Sequence, residues 1–190
     1  MSTTAVEIPG YITGTWTIDP VHSDVAFTVR HMMVSKVRGH FTRIEGELVL
    51  ASDPLASTVT ATIDLSSIDT NNPQRDDDLR SANFLEIQTH PTMTYRSTGI
   101  RHGEDGFDVD GELSLHGVTR QVPLALVVNG FTRDPYGGTR AGFSGTAEIS
   151  RHDFGITTEI PMDGGGVVVG DKIQIFIEIE AVLAEPHPAG

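Results

Sequence analysis

Over much of this chain, apolar and polar residues alternate at every second position. Val59, Ala61, Ile63 and Leu65 alternate with Thr58, Thr60, Thr62 and Asp64, the pattern of a strand with one face in a core. The strongest run places Phe107, Val109, Gly111, Leu113 and Leu115 on one face and Asp108, Asp110, Glu112, Ser114 and His116 on the other. Comparable runs carry Val25, Phe27 and Val29; Ile44, Gly46, Leu48 and Leu50; and Val122, Leu124, Leu126 and Val128. Two more carry Phe143, Gly145, Ala147 and Ile149, and Ile173, Ile175, Ile177 and Ile179. With strands near Trp16 and Tyr95, the pattern predicts about eight strands.

Turn chemistry separates these runs at Asp53-Pro54, at Gly103 to Gly106, at Asp134 to Gly138 and at Asp163 to Gly166, so consecutive hairpins are expected. One polar stretch, Gln74 to Asn83 after Asn72-Pro73, reads as a short helix. It is too short to carry a parallel crossover, which makes the sheet antiparallel. A sheet of this size, oily on one face, closes as a barrel or folds into a sandwich. Sequential hairpins favour an all-β, single-domain, eight-stranded up-and-down barrel. Gly46, Gly111 and Gly145 fall on the apolar faces. There they leave interior room or let strands bend, and bulges in a packed core explain them equally well. The barrel domain is expected over residues 14–184, with flexible ends at 1–13 and 185–190.

Composition narrows the function. Lys and Arg number 13 against 26 Asp and Glu, a net charge of −13, which argues against nucleic acid as a partner. The chain has no cysteine, which removes disulfides, thiolate metal sites and cysteine nucleophiles. The N-terminal residues MSTTAVEIPGYITGT lack the apolar run of an export signal, so a cytoplasmic protein without stable membrane insertion is expected.

Charge is also unevenly placed. Between Val25 and Ile44 stand Arg30, Lys36, Arg38, Arg43, His31 and His40, with no acid among them. Such an island suits a phosphate or other polar head group; a solvated face, or pairing with acids brought near by the fold, is the plainer account. In Arg75-Asp-Asp-Asp-Leu-Arg80, Asp76 and Arg80 are spaced to pair along the helix,. That helix is either held by its own charges or acts as a lid that points Leu79 or Phe84 into an apolar cavity. The eight histidines are scattered without the spacing of a zinc protease, so no metal site is expected. Ser144, in Gly142-Phe-Ser-Gly145, sits inside a strand and lacks the second glycine at the spacing of a nucleophile elbow,. No Lys-Ser/Thr pair follows Asp163-Gly-Gly-Gly166 and no helix opens there, so a flexible hairpin or bulge is expected instead of a phosphate loop.

Several ordered segments resemble the YceI-like family: Thr17-Ile-Asp-Pro-Val-His-Ser-Asp-Val-Ala-Phe-Thr-Val-Arg-His-Met32, Val37-Arg-Gly-His-Phe41, Ser67-Ile-Asp-Thr70 and Leu79-Arg-Ser-Ala-Asn-Phe84. Leu115-His-Gly-Val-Thr119, Arg151-His-Asp-Phe-Gly155 and Gly165-Gly-Val-Val-Val-Gly-Asp171 extend the resemblance. It implies a lipocalin-like barrel with a long tubular pocket, often dimeric, holding a polyprenyl or quinone tail and no separate cofactor. On that basis the tail lies against Phe27, Val29, Phe41, Ile63, Leu79, Phe84, Leu113, Phe143 and Ile175. The head lies near His22, Arg30, His31, Arg75 and Arg80. The chain departs from the family at Asp78, where a histidine is common, and at Thr157, where a tryptophan is frequent. Two other readings stand beside this one: a filled, ligand-free dimeric interaction module, and an enzyme using His22 or His31 for proton transfer on a small apolar substrate.

Overall fold

A computed structural model describes residues 7–160 and 168–184; the outermost parts of both ends, and the turn expected at Asp163 to Gly166, lie outside the described residues. The N-terminal strands β1 (Gly14–Ile18) and β2 (Asp24–His31) are two halves of one bent strand. The last strand, β12 (Val169–Leu183), runs antiparallel beside both, pairing Trp16 with Leu183 and Val25 with Ile177. On their other side β3 (Ser35–Phe41) pairs with β2, and β4 (Ile44–Leu50) pairs with β1. The chain then forms β5 (Thr58–Asp64), a turn of 3₁₀ helix and β6 (Ile68–Asp69), which add to β4 and to the end of β3.

The second half is a meander of β7 (Thr92–His102), β8 (Phe107–Leu115), β9 (Val118–Gln121), β10 (Leu124–Arg133) and β11 (Thr139–Ser150). Both β9 and β10 pair with β8. Pro123 stands between them and has no N–H to donate to a ladder. Strand order runs β1-β4-β5-β7-β8-β10-β11-β12 and returns to β1, a closed antiparallel barrel of eight strands. Closure satisfies edges that an open sheet would leave bare. Among the described residues no helix is long and apolar enough to cross a membrane.

Two of the glycines on the apolar faces serve the wall itself. A Cβ at Gly46 would lie 2.3 Å from the Thr60 carbonyl oxygen, and one at Gly111 would lie 2.3 Å from the Tyr95 hydroxyl. Tyr95 crosses above Gly111 and donates to the Val122 carbonyl at 2.9 Å, and burial pushes its hydroxyl up to about 12. Gly111→Ala must displace that ring. It should destabilise the barrel by about 1–3 kcal/mol, the usual range for overpacking, measured by urea unfolding; wild-type stability would mean that the ring swings aside freely.

The helix α1 (Pro73–Arg80) starts at Asn72, whose side chain accepts from the Arg75 N–H at 3.0 Å, with Pro73 preset for the first turn. The expected Asp76–Arg80 pair does not form. Asp76 turns inward, is buried, and accepts from both the backbone N–H and the hydroxyl of Thr70. Arg80 instead pairs with Asp77 at 3.1 Å and donates to the carbonyls of Ser66 and Ile68. The helix packs across the barrel end, and the segment from Ser66 to Thr70 supplies the partner of Asp76 and two carbonyls to Arg80, which keeps Asp77 of its own helix as its ion pair.

Candidate functional site: an apolar tunnel in the barrel

Two cavities lie end to end inside the barrel, of about 150 Å³ and about 110 Å³. Each is several times the roughly 10–15 Å³ that one water needs on this measure. They share the wall residues Val25, Met93 and Ile175. The larger runs toward Ile8, Tyr11 and Phe131, and the smaller toward Leu79, Phe84 and Arg151. The segment read as a flexible N-terminus thus supplies two residues to one end, where the Tyr11 hydroxyl donates to the Ala51 carbonyl at 2.7 Å. Its first six residues lie outside the described ones.

All nine residues expected to face a tail line this tunnel. Ile63, Leu113 and Phe143 line the larger cavity, Phe27, Val29, Phe41, Leu79 and Phe84 the smaller, and Ile175 both. Several inward-facing residues, among them Val59, Ala61, Ala147 and Ile175, pack against the core yet stay only partly buried. They line the cavities, so their accessible surface is the tunnel wall. A filled barrel packed at ordinary protein density would bury them.

The residues expected at the head group are dispersed. His22 lies between β1 and β2, and its Nδ1 is 2.8 Å from Asp19. Arg30 and His31 end β2, beside an exposed hairpin tip of Met32, Met33 and Val34. Arg75 donates to the Thr70 hydroxyl and carbonyl, and Arg80 is spent as described above. None of the five lines either cavity. Within the basic island, His40 meets Asp24 and Asp69, and Arg43 meets Asp64, while Arg30, Lys36 and Arg38 are exposed.

The cation that does reach the tunnel is Arg151, only 2% exposed. Its Nε donates to the Gly170 carbonyl at 2.9 Å. Its Nη1 donates to the carbonyls of Ile156 at 2.9 Å and Thr158 at 2.8 Å, and its Nη2 to that of Val169 at 3.1 Å. Guanidinium has five N–H groups, and these bonds use four of them. The side chain also borders the smaller cavity, with its guanidinium turned to these carbonyls.

Outside the tunnel, Arg140 gathers Asp19 at 2.7 Å, Asp134 at 3.0 Å and Glu180 at 3.0 Å. This guanidinium, and next His22, hold the Asp19 carboxyl well below the usual carboxylate range. A depressed carboxyl gives stability that is complete above its unfolded pKa of about 4 and is lost as pH falls through the folded value. Arg140→Gln should therefore lower the melting temperature by a constant amount above about pH 5, and the difference should shrink below about pH 4. Melting curves across pH check this; a difference that persists undiminished at low pH would separate Arg140 from these carboxylates.

A family model described as a YceI-like domain matches residues 16–181, nearly the whole barrel. The chain belongs to the YceI-like family. An Azotobacter vinelandii UPF0312 protein is 37% identical over 163 residues, 85% of this chain and 82% of that protein. The YceI protein of Salmonella newport is 35% identical over 162 residues, with the same shares covered. Among solved structures, Burkholderia cenocepacia BcnA aligns with a TM-score of 0.68 at 20% identity, covering 86% of this chain and 98% of that one. A polyisoprenoid-binding domain from Saccharophagus degradans aligns with a TM-score of 0.67 at 15% identity, covering 91% and 100%. At these identities the two structures speak for the fold, and the barrel is one they share. Of the residues carrying the family resemblance, Arg151 opens the Arg-His-Asp-Phe-Gly segment, which was the one signal in the sequence that pointed to it.

Proposed function

We propose that this protein binds a long isoprenoid or similar lipid along the barrel axis and stores or transports it. The observation that carries this reading is the unfilled apolar tunnel, walled by side chains whose accessible surface faces inward. Family membership supports it, since one structural neighbour is described as a polyisoprenoid-binding domain. Burying one isoprene unit, about five carbons, is worth roughly 3–4 kcal/mol before the cost of ordering the tail. Affinity then rests on the tail. Turnover has less support: His22 and His31, the two candidates for proton transfer, lie away from the tunnel walls.

Native mass spectrometry of the purified protein, followed by organic extraction, tests the proposal. The expected result is a stoichiometric polyprenyl, quinone or fatty species in the extract, or its uptake on incubation. A clean protein mass, unchanged after incubation with an isoprenoid quinone, a polyprenyl alcohol and a fatty acid, would overturn it in favour of a ligand-free module.

A further inference from the structure

Glu86 and His90 share one loop and His116 lies on a separate turn further along the chain, yet their candidate ligand atoms all lie within 4.8 Å of one another. His116 occupies the tight turn between β8 and β9, and Glu86 and His90 open and close the loop that follows α1. The His116 Nδ1 lies 3.0 Å from the Phe154 carbonyl oxygen. A carbonyl only accepts, so Nδ1 carries the hydrogen, and in the neutral ring Nε2 presents its lone pair. That lone pair faces the Glu86 carboxylate at 3.5 Å, a pair of acceptors that either a proton on Nε2 or a metal cation between them would reconcile.

The separation fits a metal ion. With Zn–N and Zn–O bonds of about 2.0–2.2 Å, two ligand atoms on a tetrahedral zinc lie about 3.3–3.5 Å apart. The His90 ring sits 5.1 Å from that of His116 between centroids. Gly117 gives it room, since a Cβ there would come within 2.8 Å of the His90 Cε1. Outer contacts also match those of metal sites: the Phe154 carbonyl fixes the His116 tautomer, and the Thr89 hydroxyl donates to Glu86 at 3.2 Å,.

The backbone points the same way. Glu86 and His116 hold φ at 51° and 55°, a region that non-glycine residues rarely adopt and that clusters at functional sites. In a two-residue turn of this kind asparagine or aspartate is usual before glycine. A histidine there places an imidazole where the fold could have done without one.

Among the described residues, the second triad of this kind, Asp19, His22 and Glu180, is unlike it. Arg140 already binds Asp19 and Glu180, so its positive charge fills the position an ion would take.

We infer that Glu86, His90 and His116 form a divalent metal site of the two-histidine, one-carboxylate type, suited to Zn²⁺ and with a coordination position left open. Bound metal ties the loop from Glu86 to His90 to the β8–β9 turn. That loop directly follows Phe84 and Leu85, which wall the smaller cavity, so the ion fastens one side of the tunnel end.

The test is calorimetric titration of the full, chelator-treated chain with Zn²⁺, with Co²⁺ as a spectroscopic probe. One Zn²⁺ per chain is expected at micromolar affinity or tighter, with visible Co²⁺ absorption bands typical of low coordination number. His90→Ala and Glu86→Gln should each weaken binding tenfold or more and abolish the Co²⁺ bands, while His102→Ala leaves both unchanged. Circular dichroism and melting temperature establish that each variant is folded, and both substituted residues are only partly buried. Absence of stoichiometric Zn²⁺ binding, or binding that survives His90→Ala and Glu86→Gln undiminished, overturns the inference. Neither readout depends on lipid, so failure here leaves the carrier proposal standing, and the reverse also holds.

Discussion

Ala147→Phe is expected to weaken lipid binding by about a hundredfold or more while leaving the barrel folded. Ala147 faces inward on β11 opposite Ile175 and lines the larger cavity, so a phenylalanine ring there occupies space that the tail would fill. Excluding one isoprene unit removes roughly 3–4 kcal/mol of burial, which is two to three powers of ten in affinity. The substitution adds apolar contact in an unfilled space, so the melting temperature should hold or rise, unlike overpacking in a dense core. Ala61→Phe plugs the same cavity from β5 and guards against a local misfit at one position. The readouts are extracted lipid per chain and displacement of a fluorescent fatty acid. Wild-type lipid content in both folded variants would place the ligand outside this cavity.

The sequence revealed which face each strand turns inward, because the side-chain period of a strand is a local property. Phe27, Ile63, Leu113, Phe143 and Ile175 could be placed on the inner wall from alternation alone. The joining of β1 to β2 was not legible, since what aligns them is β12 at the far end of the chain. Strand β3 gave little signal because Gly39 interrupts its apolar face; a Cβ there would come within 2.5 Å of the Phe27 ring. Charged residues were harder still. Helical spacing offered Asp76 to Arg80, but the loop at Thr70 took Asp76. His90 and His116 meet only through the fold, so spacing along the chain gave no metal signal. Arg151 carried no signal beyond its place in the Arg-His-Asp-Phe-Gly segment, because the carbonyls that enclose it come from the residues at 156–158 and from the start of β12.

That enclosure makes Arg151 the side chain whose loss should cost the fold most. Arg151→Met keeps much of the length but removes every donor from the carbonyls of Ile156, Thr158, Val169 and Gly170. A buried acceptor left without a partner costs about 1–3 kcal/mol, and breaking a buried charged network from one side about 3–5 kcal/mol. Some of these carbonyls can recover water, so a loss of about 3–5 kcal/mol is expected, a large part of the usual 5–15 kcal/mol of a domain. Arg151→Lys keeps the charge but has three donors on one nitrogen in place of a planar fork, so it should restore only part of the loss. Urea unfolding of the three proteins measures the order wild type, Lys, Met. A Met variant within about 1 kcal/mol of wild type would mean that the carbonyls find other donors. If instead Arg151→Lys folds well but retains less of a quinone or phosphate-headed lipid than of a plain fatty alcohol, the guanidinium both closes this end of the barrel and reads the ligand's head group.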